Sequence, residues 1–241
     1  PDIHYFILAA IGVMISACTP SATEMTFPGE EWQRVEPESQ NVNEVVMLEA
    51  LDYLESKSFE DGNKEVMIIR NGLVVYAGSS TDNTHNIWSC SKSFTSTVLG
   101  LMIEDGKCKL DEPVYKYEPL LKEQYAAVTF RHFATMTSGY NAVGDTRWNE
   151  ESKDWSLTPY EPGEPIFEPG THYAYWDEAM MMNGRVLTKI LGQTMQSYLE
   201  EKVTSKIDFG DWAWYNEGEI DEISINNGCT NVMVNATQLA R

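Results

Sequence analysis

The sequence predicts an α+β fold in which helices cover an antiparallel sheet. The segment EVVMLEALDYLESKSF places Met47, Leu51 and Leu54 on one helical face, with acidic residues opposite. The next segment, EVMIIRNGLVVYAG, has two β-rich runs joined by Asn71 and Gly72, which is a strong hairpin signal. A helix followed by a hairpin indicates an antiparallel sheet packed against helices.

Later segments add helices and one long loop. SKSFTSTVLGLMIEDGKCKLDEPV predicts a helix that ends at Gly106 and then an extended run, and VTFRHFATMTSG predicts a short helix that Gly139 ends. Residues 140–170 are rich in Trp, Pro, Gly and acids and predict a long irregular loop, of a length that is often functional. DEAMMMNGRVLTKILG returns to helical periodicity, with Met182 and Val186 on one face.

Composition limits the classes of partner. With 241 residues and 42% hydrophobic content, the chain can form one large domain or two small ones with a sizeable core. Its 17 basic and 37 acidic residues give a net charge of -20. Nucleic acid and anionic lipid would be repelled by this charge, so we expect neither as the partner. A small neutral or cationic substrate is easier to admit.

The N-terminal region predicts a lipoprotein signal. The run YFILAAIGVMISAC is too short to span a bilayer and ends in small residues before Cys18. Residues 15–18 resemble a bacterial lipobox, in which the cysteine is lipidated. The alternative is a buried N-terminal helix. Since the chain starts at Pro1 and lacks a basic n-region, we expect that the front of the gene product is missing.

Three segments follow from this interpretation. Residues 1–18 are predicted to be the signal peptide, residues 19–43 a polar tether with three prolines, and residues 44–241 the folded domain. The protein is then expected in the bacterial cell envelope, held by lipid at the membrane and facing the periplasm or cell surface. The oligomeric state stays open.

The other cysteines and the histidines predict neither a disulfide framework nor a metal site. Cys90, Cys108 and Cys229 are odd in number and lack CxxC spacing. The four histidines are scattered, without HExxH or similar spacing. We therefore expect no metal and no other cofactor.

A serine and a lysine at SxxK spacing are the strongest candidates for chemistry. In a helix that begins near Ser89, Lys92 lies one turn on and projects from the same face. The helix N-terminus favours a developing negative charge, and a partly desolvated lysine there can accept the serine proton. The alternative is an ordinary capped helix, because serine is a common N-cap residue.

Four ordered segments resemble the serine β-lactamase and penicillin-binding-protein superfamily. They are WSCSKSFTSTVLGLMIEDGKCKLDEPV, VTFRHFATMTSG, EPGTHYAYWD and INNGCTNVMVNATQLAR. The resemblance is to the class C-like branch of DD-peptidases, esterases and aminohexanoate-oligomer hydrolases. It implies a β-lactamase-like fold with a mostly helical lobe, and a cleft between lobe and sheet.

The resemblance also implies residue roles. Ser89 is the expected nucleophile, Lys92 its partner, and Tyr175 the second proton-transfer group. Cys90 is expected to be a small packed residue, since it points away from Lys92. The implied reaction is acyl transfer through an acyl-enzyme on a small or peptide-like ester or amide.

Two departures from the family pattern bear on the substrate. Asp177 stands where the β-lactamases have asparagine, which is expected to raise the pKa of Lys92 and to disfavour anionic β-lactams. The third motif, Lys or His followed by x-Gly, does not occur after Tyr175. That motif's strand supplies a second oxyanion-hole donor, so we expect the C-terminal strands to be missing from this chain.

The loop at 140–170 is expected to overhang the cleft and to bind substrate. Trp148 and Trp155 are the candidate contacts, with Tyr160 beside them. The alternative is that these aromatic residues only hold the loop on the core.

Two other functions stay open at this point. One is a non-catalytic binding or sensor lipoprotein that retains the cleft, and the other is a structural envelope domain in which SxxK is only a capped helix. Labelling with a fluorophosphonate probe separates the three.

Lipid attachment at Cys18 gives the first testable prediction. In a bacterial host and behind a complete signal peptide, the protein should incorporate labelled palmitate and partition into detergent. Cys18→Ser should abolish the label and release or mislocalise the protein. A wild-type protein that is soluble in the periplasm and unlabelled would show that the lipobox interpretation is wrong.

Overall fold

The computed structural model describes residues 25–59, 62–144 and 158–241. The helices in these ranges are α1 (Glu44–Lys57), α2 (Ser91–Glu104), α3 (Phe130–Ala134), α4 (Asp177–Leu191), α5 (Met195–Lys202) and α6 (Ala236–Leu239). The strands are β1 (Met67–Arg70), β2 (Leu73–Ala77), β3 (His85–Asn86), β4 (Ala142–Val143), β5 (Thr158–Pro162), β6 (Ala213–Trp214), β7 (Asn216–Ile220), β8 (Ile223–Asn226) and β9 (Val232–Val234).

These strands form small antiparallel sheets. β1 pairs with β2, β4 with β5, and β7 with β8, while β9 lies between β3 and β6 in a three-stranded sheet. Antiparallel sheets packed with helices confirm the predicted α+β class.

Helix α1 packs on the β1–β2 hairpin. The Asn43 side chain accepts a hydrogen bond from the backbone of the first turn and caps the helix. Met47 and Leu51 are buried in a cluster with Val75. Leu54 is 38% exposed, so the predicted three-residue face is wrong at that position. The two-stranded sheet beneath the helix covers only the first two turns of this face.

The hairpin turn is the one predicted. Asn71 and Gly72 both have positive φ, at 56° and 79°, as the two central residues of a type I′ hairpin turn require. The Asn71 carbonyl also accepts a hydrogen bond from the backbone N–H of Thr26, at 2.9 Å. The turn is therefore closed by a neighbouring segment as well as by its own strands.

The described part of the predicted tether lies on the domain. The backbone around Arg34 runs along β2, where the Val35 N–H donates to the Val74 carbonyl at 3.0 Å. The Trp32 indole N–H donates to the Thr237 carbonyl at 3.2 Å. Residues 32–37 thus pack on the fold instead of forming a free linker, because they satisfy the outer edge of β2.

The main core lies between the long helices. Val98 and Met102 of α2 and Met182 and Val186 of α4 are fully buried, and they join one cluster with residues of α5 and β9. Helix α4 is buried along most of its length, as its predicted apolar face requires. This core fixes the relative positions of the starts of α2 and α4.

Two local predictions differ from the structure. Helix α3 ends at Ala134, five residues before Gly139, because Met136 adopts a positive φ of 54° and turns the chain. The run KLDEPV, predicted to be extended, instead forms turns and one bridge between Pro113 and Thr129.

The segment 140–170 is also more regular than predicted. It contains the antiparallel pair β4–β5 at its base. The alternating pattern of these short strands is too brief to stand out among the surrounding Pro and Gly residues.

Within the described ranges, no helix is long and apolar enough to cross a membrane. The predicted signal peptide, with Cys18, lies outside the described residues.

Replacing Gly72 tests the hairpin turn. Gly72→Ala places a Cβ against the Thr26 carbonyl, at a φ that L-residues rarely adopt. We expect the free energy of unfolding in urea to fall by about 1–3 kcal/mol. The matched control is Gly100→Ala, at an exposed position of α2 with open space around it, which should leave the free energy unchanged or raise it by up to about 1 kcal/mol. Equal stability of the Gly72 variant and the wild type would contradict this account.

Candidate active site

The strand-to-helix connection from β3 to α2 positions Ser89. The Ile87 N–H donates to the Val232 carbonyl at 3.0 Å, which anchors the chain to β9 just before the serine. Trp88 has a positive φ of 48°, and its N–H donates to Asn86 Oδ1 at 2.8 Å. A 3-10 turn, Trp88–Cys90, then leads directly into α2. Ser89 therefore lies exposed at the positive end of a 14-residue helix.

A buried hydroxyl holds the first turn of α2 against the sheet. Ser91 is fully buried, and its Oγ accepts a hydrogen bond from the Val232 N–H at 3.1 Å. Ser91 is thus a structural residue, while its neighbour at position 89 faces the cleft.

Lys92 is the centre of the polar cluster. Its Nζ lies 3.0 Å from Ser89 Oγ, 3.0 Å from the Cys229 carbonyl oxygen and 2.6 Å from Asp177 Oδ1. It also lies 4.8 Å from the centroid of the Tyr175 ring. An ammonium group has three protons, and these three oxygens can accept all of them. The arrangement is that of a charged lysine in contact with a serine hydroxyl.

The surroundings of Lys92 shift its pKa upward. Burial lowers the pKa of this ammonium group, but the hydrogen bonds with Asp177 and Tyr175 and the negative charge of Asp177 outweigh burial. The net direction is above the ordinary lysine pKa, as expected for a carboxylate at the second motif. Both side chains are nearly buried, at 11% and 8% exposed, so water screens their attraction only weakly.

The loop 227–230 is held rigidly beside Lys92. The Gly228 carbonyl accepts a hydrogen bond from Thr95 Oγ1 at 2.9 Å, and Asn227 Oδ1 accepts from the Cys229 N–H at 2.9 Å. A side chain at Gly228 would collide with the Met180 carbonyl of α4. The absence of a side chain lets the loop approach the helix and directs the Cys229 carbonyl at Lys92.

Ser89, Asp177 and part of the loop 227–230 border an open cleft of about 350 Å³. Ser89 and Asp177 form part of its wall, and Glu217 adds a second carboxylate. Its remaining lining residues are Trp88, Met181, Asn227, Cys229, Thr230 and Asn231. The cleft thus combines a hydroxyl at a helix N-terminus, carboxylates and apolar walls.

The structure brings four predicted site residues together. Ser89 and Lys92 lie at the start of α2, Tyr175 and Asp177 lie at the start of α4, and the four residues meet at Lys92 Nζ. Two predicted substrate contacts, Trp148 and Trp155, and the predicted lipidation site Cys18 lie outside the described residues.

The interpretation of Cys90 as a packed residue is wrong, because Cys90 is an exposed free thiol. The reason is local: the 3-10 turn before α2 lies on the surface, so its residues have no core to face. Tyr160, expected beside the cleft, does not belong to its lining. It lies on β5, and its hydroxyl donates to the Glu217 carbonyl at 2.6 Å.

Sequence reasoning missed the wall opposite Ser89. Glu217 and Asn227 lie on the β7–β8 hairpin and the loop after it, and the Cys229 carbonyl contacts Lys92. The Asn227-Gly228 pair was a signal for a turn, but no local pattern connects that turn with a serine more than 130 residues earlier.

Among the described residues, no group of three or more His, Cys, Asp or Glu side chains could hold a metal ion.

Known proteins resemble this chain over most of the described region. A family model described as beta-lactamase matches residues 59–223. A beta-lactamase of Pseudomonas fluorescens is 28% identical over 156 residues, which are 59% of this chain and 43% of that protein. The chain therefore spans less than half the length of this relative.

Solved structures show the same fold. A penicillin-binding protein homologue from Pyrococcus abyssi, described as octameric, has a TM-score of 0.60 and 18% identity, over 82% of this chain and 55% of that one. A Bacillus anthracis protein assigned as a 6-aminohexanoate-dimer hydrolase has a TM-score of 0.56 and 16% identity, over 72% and 51%. The family model covers more than half of the chain, so the protein belongs to the beta-lactamase family.

Proposed function

We propose that the protein is a serine hydrolase that cleaves a small or peptide-like ester or amide through an acyl-enzyme. The observation that supports this most directly is the 3.0 Å contact between Lys92 Nζ and Ser89 Oγ at the N-terminus of α2, open to a cleft. Nucleophile and base must be within hydrogen-bond reach of each other, and this pair is. Family membership supports the same class of chemistry.

The proposed reaction begins at Ser89. Its hydroxyl proton moves to the neutral amine of Lys92 while Oγ bonds to the substrate carbonyl carbon. The positive end of α2 stabilises the negative charge that develops on the carbonyl oxygen. The tetrahedral intermediate then collapses, and its bond to the leaving alcohol or amine breaks. The leaving group takes a proton from Lys92 by way of Tyr175. Water then attacks the ester carbonyl and loses a proton to the same pair, which returns a proton to Ser89 Oγ as the bond to the acyl group breaks and the acid is released.

Asp177 controls how much of Lys92 is available as a base. The amine accepts a proton only when it is neutral, and the ion pair with Asp177 favours the charged form. The fraction of Lys92 that is neutral rises with pH, and this fraction should therefore limit the rate of the reaction. The nearby negative charge also disfavours substrates that have a carboxylate, such as β-lactams, compared with neutral esters and amides.

The same ion pair favours a second candidate, a non-catalytic binding protein that keeps the cleft. A lysine held permanently as an ammonium group would stabilise the cleft without activating Ser89. Covalent labelling of Ser89 by a fluorophosphonate probe decides between the two functions.

We further propose that the protein acts in the bacterial cell envelope. The lipobox-like residues 15–18 support attachment of lipid at Cys18, and peptide-like amides of the cell wall are available there as substrates. We propose no nucleic-acid partner, because the net charge of -20 opposes binding.

Replacing the nucleophile tests the hydrolase proposal. In a protein that covers the full length of its relatives, Ser89→Ala should reduce hydrolysis of a p-nitrophenyl ester by at least about a thousandfold. Its melting temperature should stay nearly unchanged, since Ser89 is exposed. The matched control is Cys90→Ala, the next residue, which is also exposed and outside the cleft lining. Turnover retained by Ser89→Ala, or lost only in Cys90→Ala, would contradict the assignment.

The ion pair predicts a pH effect of Asp177→Asn. A raised lysine pKa keeps the base protonated to higher pH, so the wild-type acidic limb of kcat/KM should lie at high pH. Asparagine removes the charge and keeps the shape, so the limb should move to lower pH. Turnover of an anionic β-lactam such as nitrocefin should improve relative to a neutral ester.

NMR of labelled lysine side chains measures the same shift without turnover, and the pKa of Lys92 should fall in Asp177→Asn. The control is Asp105→Asn, which removes a carboxylate paired with Lys202 away from the cleft. An unchanged Lys92 pKa in the Asp177 variant would show that Asp177 does not set the basicity of Lys92.

A further inference from the structure

The cleft that contains Ser89 also has a carboxylate that lacks a cationic partner among the described residues. Asp177 is matched by Lys92, with 2.6 Å between the charged atoms. In the part of the chain that the structure describes, Glu217 has no lysine, arginine or histidine within ion-pair distance, although it lines the same cleft. The three charged groups at the cleft, Lys92, Asp177 and Glu217, therefore sum to one negative charge.

Glu217 is held in place by neutral groups. Asn227 is 2% exposed, and its amide NH₂ donates to Glu217 Oε2. The other end of this amide is fixed, because Asn227 Oδ1 accepts the Cys229 and Thr230 N–H groups. The Tyr160 hydroxyl holds the Glu217 backbone from the other side. These contacts position the Glu217 carboxylate at the cleft, where it can accept a hydrogen bond from a ligand.

An exposed indole faces the same space. Trp88 is 71% exposed and lines the cleft next to Ser89. Its backbone conformation, with φ of 48°, is unfavourable for a large side chain and is held by Asn86. A tryptophan face attracts cations, and desolvation in a cleft strengthens this attraction.

We infer that the cleft selects substrates with a protonated amine near the scissile carbonyl. The ammonium group would pair with Glu217 and lie against the Trp88 face, while Met181 contacts the adjoining methylene groups. Glu217 is then a specificity-determining residue. The inference rests on the proposed function for its reaction, but it concerns the recognition of charge, which can be measured without turnover.

The test compares two amides of nearly the same shape. β-Alanine amide has an ammonium group where butanamide has a methyl group, and ligand-observed NMR measures the affinity of both for the intact protein. A carboxylate and an indole together should favour the cationic amide by about tenfold. In the full-length protein, kcat/KM for the corresponding p-nitroanilides should show the same preference.

A single substitution and its control test whether Glu217 causes the preference for the cationic amide. Glu217→Gln should remove most of the tenfold difference, and high salt should weaken the difference in the wild type. Glu219→Gln removes one charge from the same exposed strand but outside the cleft lining, so it should keep the preference. Equal affinity for the two amides, or equal loss in both variants, would overturn the inference.

Fluorophosphonate labelling of the same samples separates this inference from the hydrolase proposal. Labelled Ser89 without a preference for the cationic amide overturns the amine specificity and leaves the hydrolase proposal intact. An unlabelled Ser89 with a Glu217-dependent preference supports a cation-binding cleft and contradicts the hydrolase.

Discussion

The antiparallel pairing of β3 with β9 is the contact on which the candidate site depends. It joins segments that are far apart along the chain, and beside it the Val232 N–H donates to Ser91 Oγ, 141 residues earlier. Through this pairing the turn that holds Ser89 lies beside the loop 227–230, whose Cys229 carbonyl accepts a hydrogen bond from Lys92 Nζ. Without it, Ser89 and Lys92 would still share a helix face, but the cleft would lack its opposite wall.

The second requirement is the packing of α2 against α4. Val98 and Met182 lie in the same core, which places the start of α4 next to Lys92. Asp177 is the first residue of α4, and a carboxylate is favoured at a helix N-terminus. The same position places the Asp177 carboxylate 2.6 Å from Lys92 Nζ. An acidic residue at this position is thus favoured both by the start of the helix and by the ion pair with Lys92.

Local patterns predicted the local features well. The Asn71-Gly72 turn and the helix after Ser89 follow from short-range geometry, and the structure has both. Tyr175 and Asp177 were found through family resemblance, because nothing in spacing alone connects them to Lys92. Glu217 could not be predicted, since NEGEI has only one buried residue, Ile220, and its position depends on contacts with Tyr160 and Asn227. Cys90 was misplaced because periodicity within α2 does not extend into the 3-10 turn that precedes it.

The contact between Lys92 and Cys229 has a consequence for folding. It spans 137 residues, and closing so long a loop costs conformational entropy. Contacts of this separation form slowly compared with helices and tight hairpins. The helix that holds Ser89 and Lys92 depends on local contacts, whereas the surroundings that set the basicity of the lysine depend on long-range pairing. We therefore expect the cleft to assemble after the helix, so that the basicity of Lys92 depends on the completed fold.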